Sequence, residues 1–397
     1  MNSAPSLEQF DVVVIGGGIH GAGVLQAAVA AGYRALLLEE RGPAAGTSSR
    51  SSKLIHGGLR YLESGQLGLV RESLRERAIL LAIAPELVKL VAFHVPIYRD
   101  TRRRPGKIRL GLSLYSALGN FARDVRFERL RENEWGALDG LRTEGLEAVF
   151  RYFDGQTDDA ALVRAVLRSG ESLGGQVRWP ARLIAAKGDD DGFEVRYADR
   201  EAERTCRARC LVNAAGPWIE EVRRRIDPLQ PGIEIELVSG AHIEFDGKLN
   251  RGIYYAEAPS DGRAVFVMPW KDRMLVGTTE TPFLGDPATV QPLPSEIDYL
   301  RATLKHYFPA REAKGARAWA GLRVLPRGSD SPFGRKRETI LVVDRERAPR
   351  MVAIYGGKLT GYRATAEKVM AILERTLPKT ERRADTRTLK LHPGAPS

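Results

Sequence analysis

Cysteine is nearly absent from this chain, with two residues, Cys206 and Cys210, in 397. Two thiols exclude a disulfide framework, and alone they cannot complete a zinc site. Their setting, "TCRARCLVN", predicts a strand in which both are small apolar fillers. No run approaches about 18 uncharged apolar residues, so no transmembrane helix is expected. The opening "MNSAPSLEQF" has no basic-then-apolar leader, which points to the cytoplasm. Internal repeats are absent as well. Negative charge is in deficit: 61 Lys and Arg against 50 Asp and Glu give a net charge of +11. That balance fits an anionic substrate, an anionic membrane surface or nucleic acid, although most of the charges are scattered and read as a solvated surface. At about 150 residues per domain the length allows two or three domains.

What is present is most telling at the N-terminus. "FDVVVIGGGIHGAGVLQAAVAAGYRALLLEE" reads as strand (Asp11–Ile15), glycine turn, Ala-rich helix (Ile19–Ala31) and second strand (Ala35–Leu38). Gly16, Gly18 and Gly21 fit G-x-G-x-x-G. The first permits the tight turn, the second lets backbone approach a pyrophosphate, and the third lets the helix pack on the strand. The helix N-terminus then faces the pyrophosphate, and Glu39 is placed to accept hydrogen bonds from a ribose. His20, inside the turn, reads as a space-filler. The fingerprint does not choose between NAD and FAD. The following "GTSSRSSKLIHGGLRYLE" does, because Thr47, Ser48 and their neighbours form a hydroxyl loop suited to a long extended cofactor such as FAD. The same stretch crowds Lys53, His56, Arg60 and Tyr61 around Gly57-Gly58, more anion-binding and proton-moving groups than a surface loop needs.

Further along, Leu67–Ile83 has the spacing of an amphipathic helix. Arg102, Arg103, Arg104, Lys107 and Arg109 precede an apolar stretch of helical spacing, read either as a cap helix or as a basic interfacial patch. Asp158 and Asp159 start a helix, with Asp158 as its cap. Residues 192–213 suggest a hairpin ending in the small-residue turn "NAAGPW". "IEIELVSGAHIEFD" alternates as a strand, and "AVFVMPWKDRMLVGTTE" reads as two strands around Lys271–Arg273. The C-terminal unit reads as strand, strand, Gly356-Gly357 and a helix beginning near Thr360–Tyr362.

These motifs in this order resemble the FAD-dependent glycerol-3-phosphate dehydrogenase family, from Asp11 to about Pro393. The carriers are "VVVIGGGIHGAG", "GTSSRSSKLIHGGLRYLE", "DGQTDDAALV", "LVNAAGPW", "SGAHIEF", "VFVMPWKDRMLVGTTETPF", "AGLRVLP" and "YGGKLTGYR". The resemblance implies an α/β fold: a glutathione-reductase-type FAD-binding Rossmann domain interleaved with an antiparallel-sheet substrate domain. It implies oxidation of sn-glycerol 3-phosphate to dihydroxyacetone phosphate by hydride transfer to flavin N5, with electrons passed to quinone. The enzyme would then sit peripherally at the inner face of the cytoplasmic membrane. Carried over, His56, His242, Arg323 and Lys358 are the candidate catalytic residues, and Arg60, Tyr61, Arg323 and Lys358 the substrate-binding ones. Gly16, Gly18, Gly21, Glu39, Thr47, Ser48, Gly216, Gly357 and Thr360 would line the FAD. No metal is called for. The chemistry fits a dianionic phosphate, since Arg gives bidentate contacts and Lys a point charge, while histidine is suited to take the alcohol proton. Of the two histidines, His56 is the preferred base.

The chain departs from the family at Ser239 and Ala241, where a basic residue and a serine are usual, at Val324, where proline is usual, and at Arg50. It also reads as a short form without the C-terminal helical domain. The expected division is 1–95, 151–232 and 336–380 for the FAD domain, 96–150 and 233–335 for the substrate side, and 381–397 for a tail. Two alternatives stay open: a flavin oxidase of a 2-hydroxy acid or amino acid using oxygen, and a basic FAD-containing nucleic-acid-binding module. The second lacks the aromatic-interleaved stripe of single-strand binders. If the cofactor reading is right, the purified protein is yellow and releases FAD, not FMN, on denaturation, as chromatography of the supernatant would show; a colourless protein that cannot be reconstituted with FAD overturns it.

Overall fold

The structure is a computed structural model that describes residues 7–327 and 339–394. The chain opens with β1 (Glu8–Ile15), α1 (Ile19–Ala30) and β2 (Ala35–Leu38). A first excursion follows, made of β3 (Leu54–Ile55), α2 (Leu67–Ile83), β4 (Val88–Tyr98), α3 (Pro105–Leu118), β5 (Glu128–Arg129) and β6 (Leu146–Thr157). The chain returns with α4 (Asp159–Ser172), β7 (Gln176–Arg178), β8 (Arg182–Asp189), β9 (Gly192–Ala198), β10 (Glu203–Asn213), α5 (Ile219–Arg224) and β11 (Ile226–Asp227). A second excursion holds β12 (Ile235–Asp246), β13 (Ile253–Glu257), β14 (Ala264–Trp270), β15 (Arg273–Gly277), β16 (Thr281–Phe283), α6 (Pro294–Tyr307) and β17 (Arg317–Pro326). β18 (Ile340–Val343), β19 (Met351–Tyr355) and α7 (Tyr362–Leu373) come back to the first sheet.

Two sheets result. The first has the order β11-β8-β9-β10-β1-β2-β7, with β19 beside β10 and β18 beside β19. Its centre, β10-β1-β2-β7, is parallel, as a strand–helix–strand crossover requires. The second has the order β16-β12-β15-β14-β13-β4-β6-β3, with β17 on β12 and β5 on β6. It is antiparallel except where β13 meets β4. The nucleotide sheet is thus interleaved with an antiparallel one, the architecture the resemblance implied.

The strands of the second sheet begin at Leu54 and run to Thr157, so a division at 95/96 cuts through β4. By sheet membership we propose that the first excursion spans about 54–157. The long-range pairing of β4 with β6 fixes that boundary, and such pairing leaves no local mark in the sequence. The expected boundary at 150/151 likewise cuts through β6, that at 232/233 falls just before β12, and that at 335/336 lies outside the described residues. The expected tail is docked on the first domain: Arg383 N donates to Ala30 O at 2.8 Å, and Leu391 N to Ile83 O at 2.8 Å.

Burial explains the helices. α1 is apolar nearly all round because it is packed between β1 and the helices α4 and α7, with Leu25, Val29, Val166, Tyr362 and Val369 in one cluster. A Cβ on Gly23 would lie 2.7 Å from the Tyr362 ring, so only glycine admits α7 this closely. Cys206 and Cys210 are buried in β10, as filler residues should be, and burial pushes their thiols up to about 11 and about 12. Among the described residues, no helix is long and apolar enough to cross a membrane.

α7 is fastened to α2 by a buried bidentate pair: Arg363 Nη2 lies 2.6 Å from Glu76 Oε1 and Nε 2.7 Å from Oε2. Both side chains are at most 2% exposed. Arg363, in the "GGKLTGYR" motif, is therefore a structural member of it. Removing one partner of such a pair typically costs about 3–5 kcal/mol. Arg363→Met is accordingly expected to lower the urea midpoint strongly, and Arg363→Met/Glu76→Leu to recover much of the loss; a single variant as stable as the parent would contradict this role.

Candidate active site

A cavity of about 390 Å³ lies between the sheets, walled by Gly16–His20 on one side and by Tyr255, Phe266 and Thr278 on the other. Its first end is built by the glycine turn. Gly16 has φ +109°, and a Cβ there would come within 2.7 Å of Ala214 O. On Gly21 a Cβ would fall 1.8 Å from Gly16 O, so this glycine serves the packing of α1 on β1 and does not line the cavity. Glu39 lines it, and its carboxylate braces the turn by accepting from Gly17 N at 2.6 Å and Arg41 N at 2.7 Å. Ser48 Oγ accepts from Ile19 N at 2.9 Å at the start of α1, and Thr47 Oγ1 donates to Leu322 O at 2.8 Å. Gly216, Gly357 and Thr360 also stand on the cavity wall. A dinucleotide fits this end: the glycines leave a cradle that side chains would fill, and the buried His20 Nδ1 on its wall has no hydrogen-bond partner among the described residues. Burial holds the His20 ring down to about 4, so it is neutral at pH 7.

The remaining candidates, His56, Arg60, Tyr61, His242, Arg323 and Lys358, all line the same cavity. They come from four places in the chain, and specific contacts bring them together. His56 N donates to Thr360 Oγ1 at 3.1 Å, joining the first excursion to the entry of α7. One residue on, Gly57 N donates to Tyr115 OH at 2.9 Å. Tyr115 OH in turn donates to Asp154 Oδ2 at 2.6 Å, and Asp154 Oδ1 accepts from Arg77 at 2.8 Å. The backbone on both sides of His56 is therefore fixed. Upstream, Lys53 Nζ donates to Asp159 Oδ1 at 2.7 Å and Ser49 O at 2.6 Å, while Asp159 Oδ2 accepts from Ser51 Oγ at 2.7 Å. Asp158 caps α4 by accepting from Ala161 N at 3.0 Å, as its position implied.

His242 rests on the Trp319 ring, 4.3 Å between centroids, and its Nε2 lies 3.0 Å from Ser52 Oγ. Burial, then the charges of Arg323 and Lys53, hold it well below the usual histidine range. Lys358 Nζ lies 3.5 Å from the centre of the Tyr61 ring, a cation–π contact. Arg323 Nη1 is 3.2 Å from Glu280 Oε1, Arg323 Nη2 donates to Thr278 Oγ1 at 3.2 Å, and Arg60 Nη2 stands 3.7 Å from the same carboxylate oxygen. Glu280 was not among the residues expected at the site. Its signal was an acid among threonines in "GTTETPF", a motif noted only as a whole. Tyr115 left no signal, because it acts through the fold from α3, and Asp154 was marked only as the first residue of "DGQTDDAALV".

The basic run is largely spoken for. Arg103 is paired with both Glu63 and Glu257, and Arg104 with Glu147. Ser239 and Ala241 are buried in β12 and do not line the cavity. Arg50 does line it.

The glycine turn thus comes from the first sheet, while the cationic groups come from both, Arg60 and Arg323 from the second and Lys358 from the turn between β19 and α7, an arrangement in keeping with an FAD-dependent oxidoreductase. A family model described as FAD dependent oxidoreductase matches residues 11–363. The D-erythritol 1-phosphate dehydrogenase of Brucella abortus (strain 2308) is 34% identical over 382 residues, 94% of this chain and 75% of that protein. The aerobic glycerol-3-phosphate dehydrogenase of Escherichia coli (strain K12) is 36% identical over 372 residues, 92% of this chain and 73% of that one. Among solved structures, the glycerol-3-phosphate dehydrogenase from Bacillus halodurans complexed with FAD matches with a TM-score of 0.76 at 28% identity, covering 96% of this chain and 68% of that one. The chain belongs to the FAD-dependent glycerol-3-phosphate dehydrogenase family.

Tyr115→Phe tests the support of His56. It leaves the buried Gly57 N–H without an acceptor, at a cost of about 1–3 kcal/mol. The expected result is a lower unfolding midpoint and weaker FAD retention on dialysis, while a variant indistinguishable from the parent in both would show that the segment is held by other contacts.

Proposed function

We propose that the protein oxidises the secondary alcohol of a small polyol phosphate, with sn-glycerol 3-phosphate giving dihydroxyacetone phosphate as the first choice. The observation that carries this reading is the convergence of Arg60, Arg323 and Lys358 on one cavity with two histidines. Names of two relatives, one acting on glycerol 3-phosphate and one on D-erythritol 1-phosphate, support a phosphorylated polyol. Gly16, Gly18, Glu39, Thr47, Ser48, Gly216, Gly357 and Thr360 would hold the FAD, which supplies the hydride acceptor when bound. Arg323 and Lys358 hold the phosphate, with Arg60 beside them, and Tyr61 carries the Lys358 ammonium on its face. His56 takes the alcohol proton. Its backbone is fixed on both sides, whereas His242 lies in the field of Arg323 and Lys53 and is a poor proton sink.

For the acceptor we propose quinone. Exposed Leu110 and Leu114 on α3, with Phe121 beyond it and Lys107 and Arg109 alongside, support contact with an anionic membrane surface. The engagement of Arg103 and Arg104 by carboxylates weighs against a nucleic-acid surface there.

Anaerobic addition of sn-glycerol 3-phosphate should bleach the yellow protein; absence of bleaching with either polyol phosphate overturns the reading. Arg323→Ala should raise KM for the phosphorylated substrate by about 10- to 100-fold, the worth of one charge-assisted contact of roughly 1.5–3 kcal/mol. Residual turnover of glycerol should change little, and equal losses for both would assign Arg323 to the fold.

His56→Gln should keep its FAD yet slow anaerobic reduction by about 10²–10⁴, and the pH profile of reduction should lose its limb near neutrality. His242→Gln should retain that limb. The reverse pattern would make His242 the base.

A further inference from the structure

Glu280 places a carboxylate where an anionic substrate is to be held. Its side chain is 5% exposed, and it lines the cavity. One oxygen, Oε1, stands 3.2 Å from Arg323 and 3.7 Å from Arg60. The two arginines come from opposite parts of the fold, Arg60 from the turn after β3 and Arg323 from β17. The carboxylate between them is not adventitious, because the backbone on both sides of it is locked. Thr279 Oγ1 donates to Glu296 Oε1 at 2.6 Å and accepts from Ala241 N at 2.8 Å. Thr281 Oγ1 donates to the same Glu296 oxygen at 2.7 Å. Arg263 adds a bond to Glu280 O at 3.3 Å.

Two guanidiniums aimed at one point repel each other, and in a partly buried site that repulsion is weakly screened. Without a carboxylate they would recruit any small anion from solution. With it, part of the positive charge of Arg60 and Arg323 is already offset within the fold. The carboxylate also lowers the affinity for ligands that bring charge and nothing else, since each must share the arginines with it. A polyol phosphate adds hydroxyl contacts along the cavity that an inorganic ion lacks.

We propose that Glu280 is a specificity-determining residue: a built-in counter-ion that holds Arg60 and Arg323 as a pair and keeps free inorganic anions from blocking the site in favour of the phosphorylated polyol. The proposal rests on the phosphate reading given above and adds to it the source of discrimination between phosphate ester and free phosphate.

The test uses the full chain loaded with FAD. Inorganic phosphate is titrated as a competitor of sn-glycerol 3-phosphate in anaerobic flavin reduction and, independently, by its perturbation of the oxidised flavin spectrum. Glu280→Gln keeps the shape and removes the charge, and should bind inorganic phosphate at least about tenfold more tightly, a small fraction of the Coulomb energy of one carboxylate at this distance. The ratio of substrate affinity to phosphate affinity should fall with it. Glu280→Asp keeps the charge and should leave phosphate inhibition near the parent value at equal FAD content. Phosphate competition in the parent that is unchanged in Glu280→Gln overturns the proposal while the phosphate reading stands. So does identical behaviour of the Gln and Asp variants, which a merely structural role would give. A parent protein that is neither reduced by sn-glycerol 3-phosphate nor perturbed by inorganic phosphate would instead remove the phosphate reading itself.

Discussion

The basic groups in and behind the cavity wall are held in place by carboxylates contributed from other parts of the chain. Lys53 has Asp159, Arg77 has Asp154, Arg323 has Glu280 and Arg363 has Glu76. Each pair joins elements distant in sequence: the hydroxyl loop to α4, α2 to β6, β17 to the turn after β15, and α7 to α2. Buried charges left single would cost several kcal/mol each. The pairs therefore act as registration points, since one element can settle only where its partner charge is waiting. Arg363–Glu76 ties the first excursion back to the nucleotide domain, while Arg77–Asp154 and Arg323–Glu280 brace the first and second excursions internally.

That arrangement explains which parts of the fold were legible in the sequence. The β1-α1-β2 unit, the helix Leu67–Ile83 and the strand pair around Lys271–Arg273 depend on local periodicity and turn residues, and they lie where periodicity put them. The sheet to which β3, β4 and β6 belong depends on partners up to about a hundred residues away, for which alternation along one strand carries no information. The basic run at Arg102–Arg104 misleads for the same reason. Read alone it is a patch, but Glu63, Glu147 and Glu257, contributed by three other segments, engage two of its three arginines. The C-terminal tail shows no periodicity because it is held by scattered backbone and side-chain bonds to the ends of α1, α2 and α4 and by the buried Leu391, not by a helix face.

The candidate site divides similarly. Most of the residues expected to touch cofactor or substrate sit in glycine-rich, motif-bearing turns, where backbone must approach a ligand and few sequences will serve; these were named from the sequence and, Gly21 apart, line one cavity. Residues that hold them were not. Tyr115, on a helix that otherwise reads as a cap, reaches Gly57 and, through Asp154, Arg77. Nothing in its sequence neighbourhood distinguishes it from a core tyrosine. Gly57 itself shows the constraint from the other side, since a Cβ there would lie 2.5 Å from the Tyr115 hydroxyl. The glycine pair in "HGG" is thus as much about admitting that tyrosine as about approaching a ligand.

The two histidines illustrate how the same residue type is given different work by its surroundings. His242 is stacked on Trp319, with Lys53 5.0 Å from the opposite ring system's centre and Arg323 nearby, so its cationic form is disfavoured from several directions. Its Nε2 is within reach of Ser52 Oγ, which fixes the ring in one plane. A histidine so placed is a stable neutral hydrogen-bonding surface. His56 is held through its backbone, by Thr360 on one side and through Gly57 by Tyr115 on the other, and it lines the cavity. Fixing a residue by its main chain holds its ring at a defined place on the cavity wall, which suits the proton-transfer role proposed for His56, because the ring must meet the substrate at a defined distance.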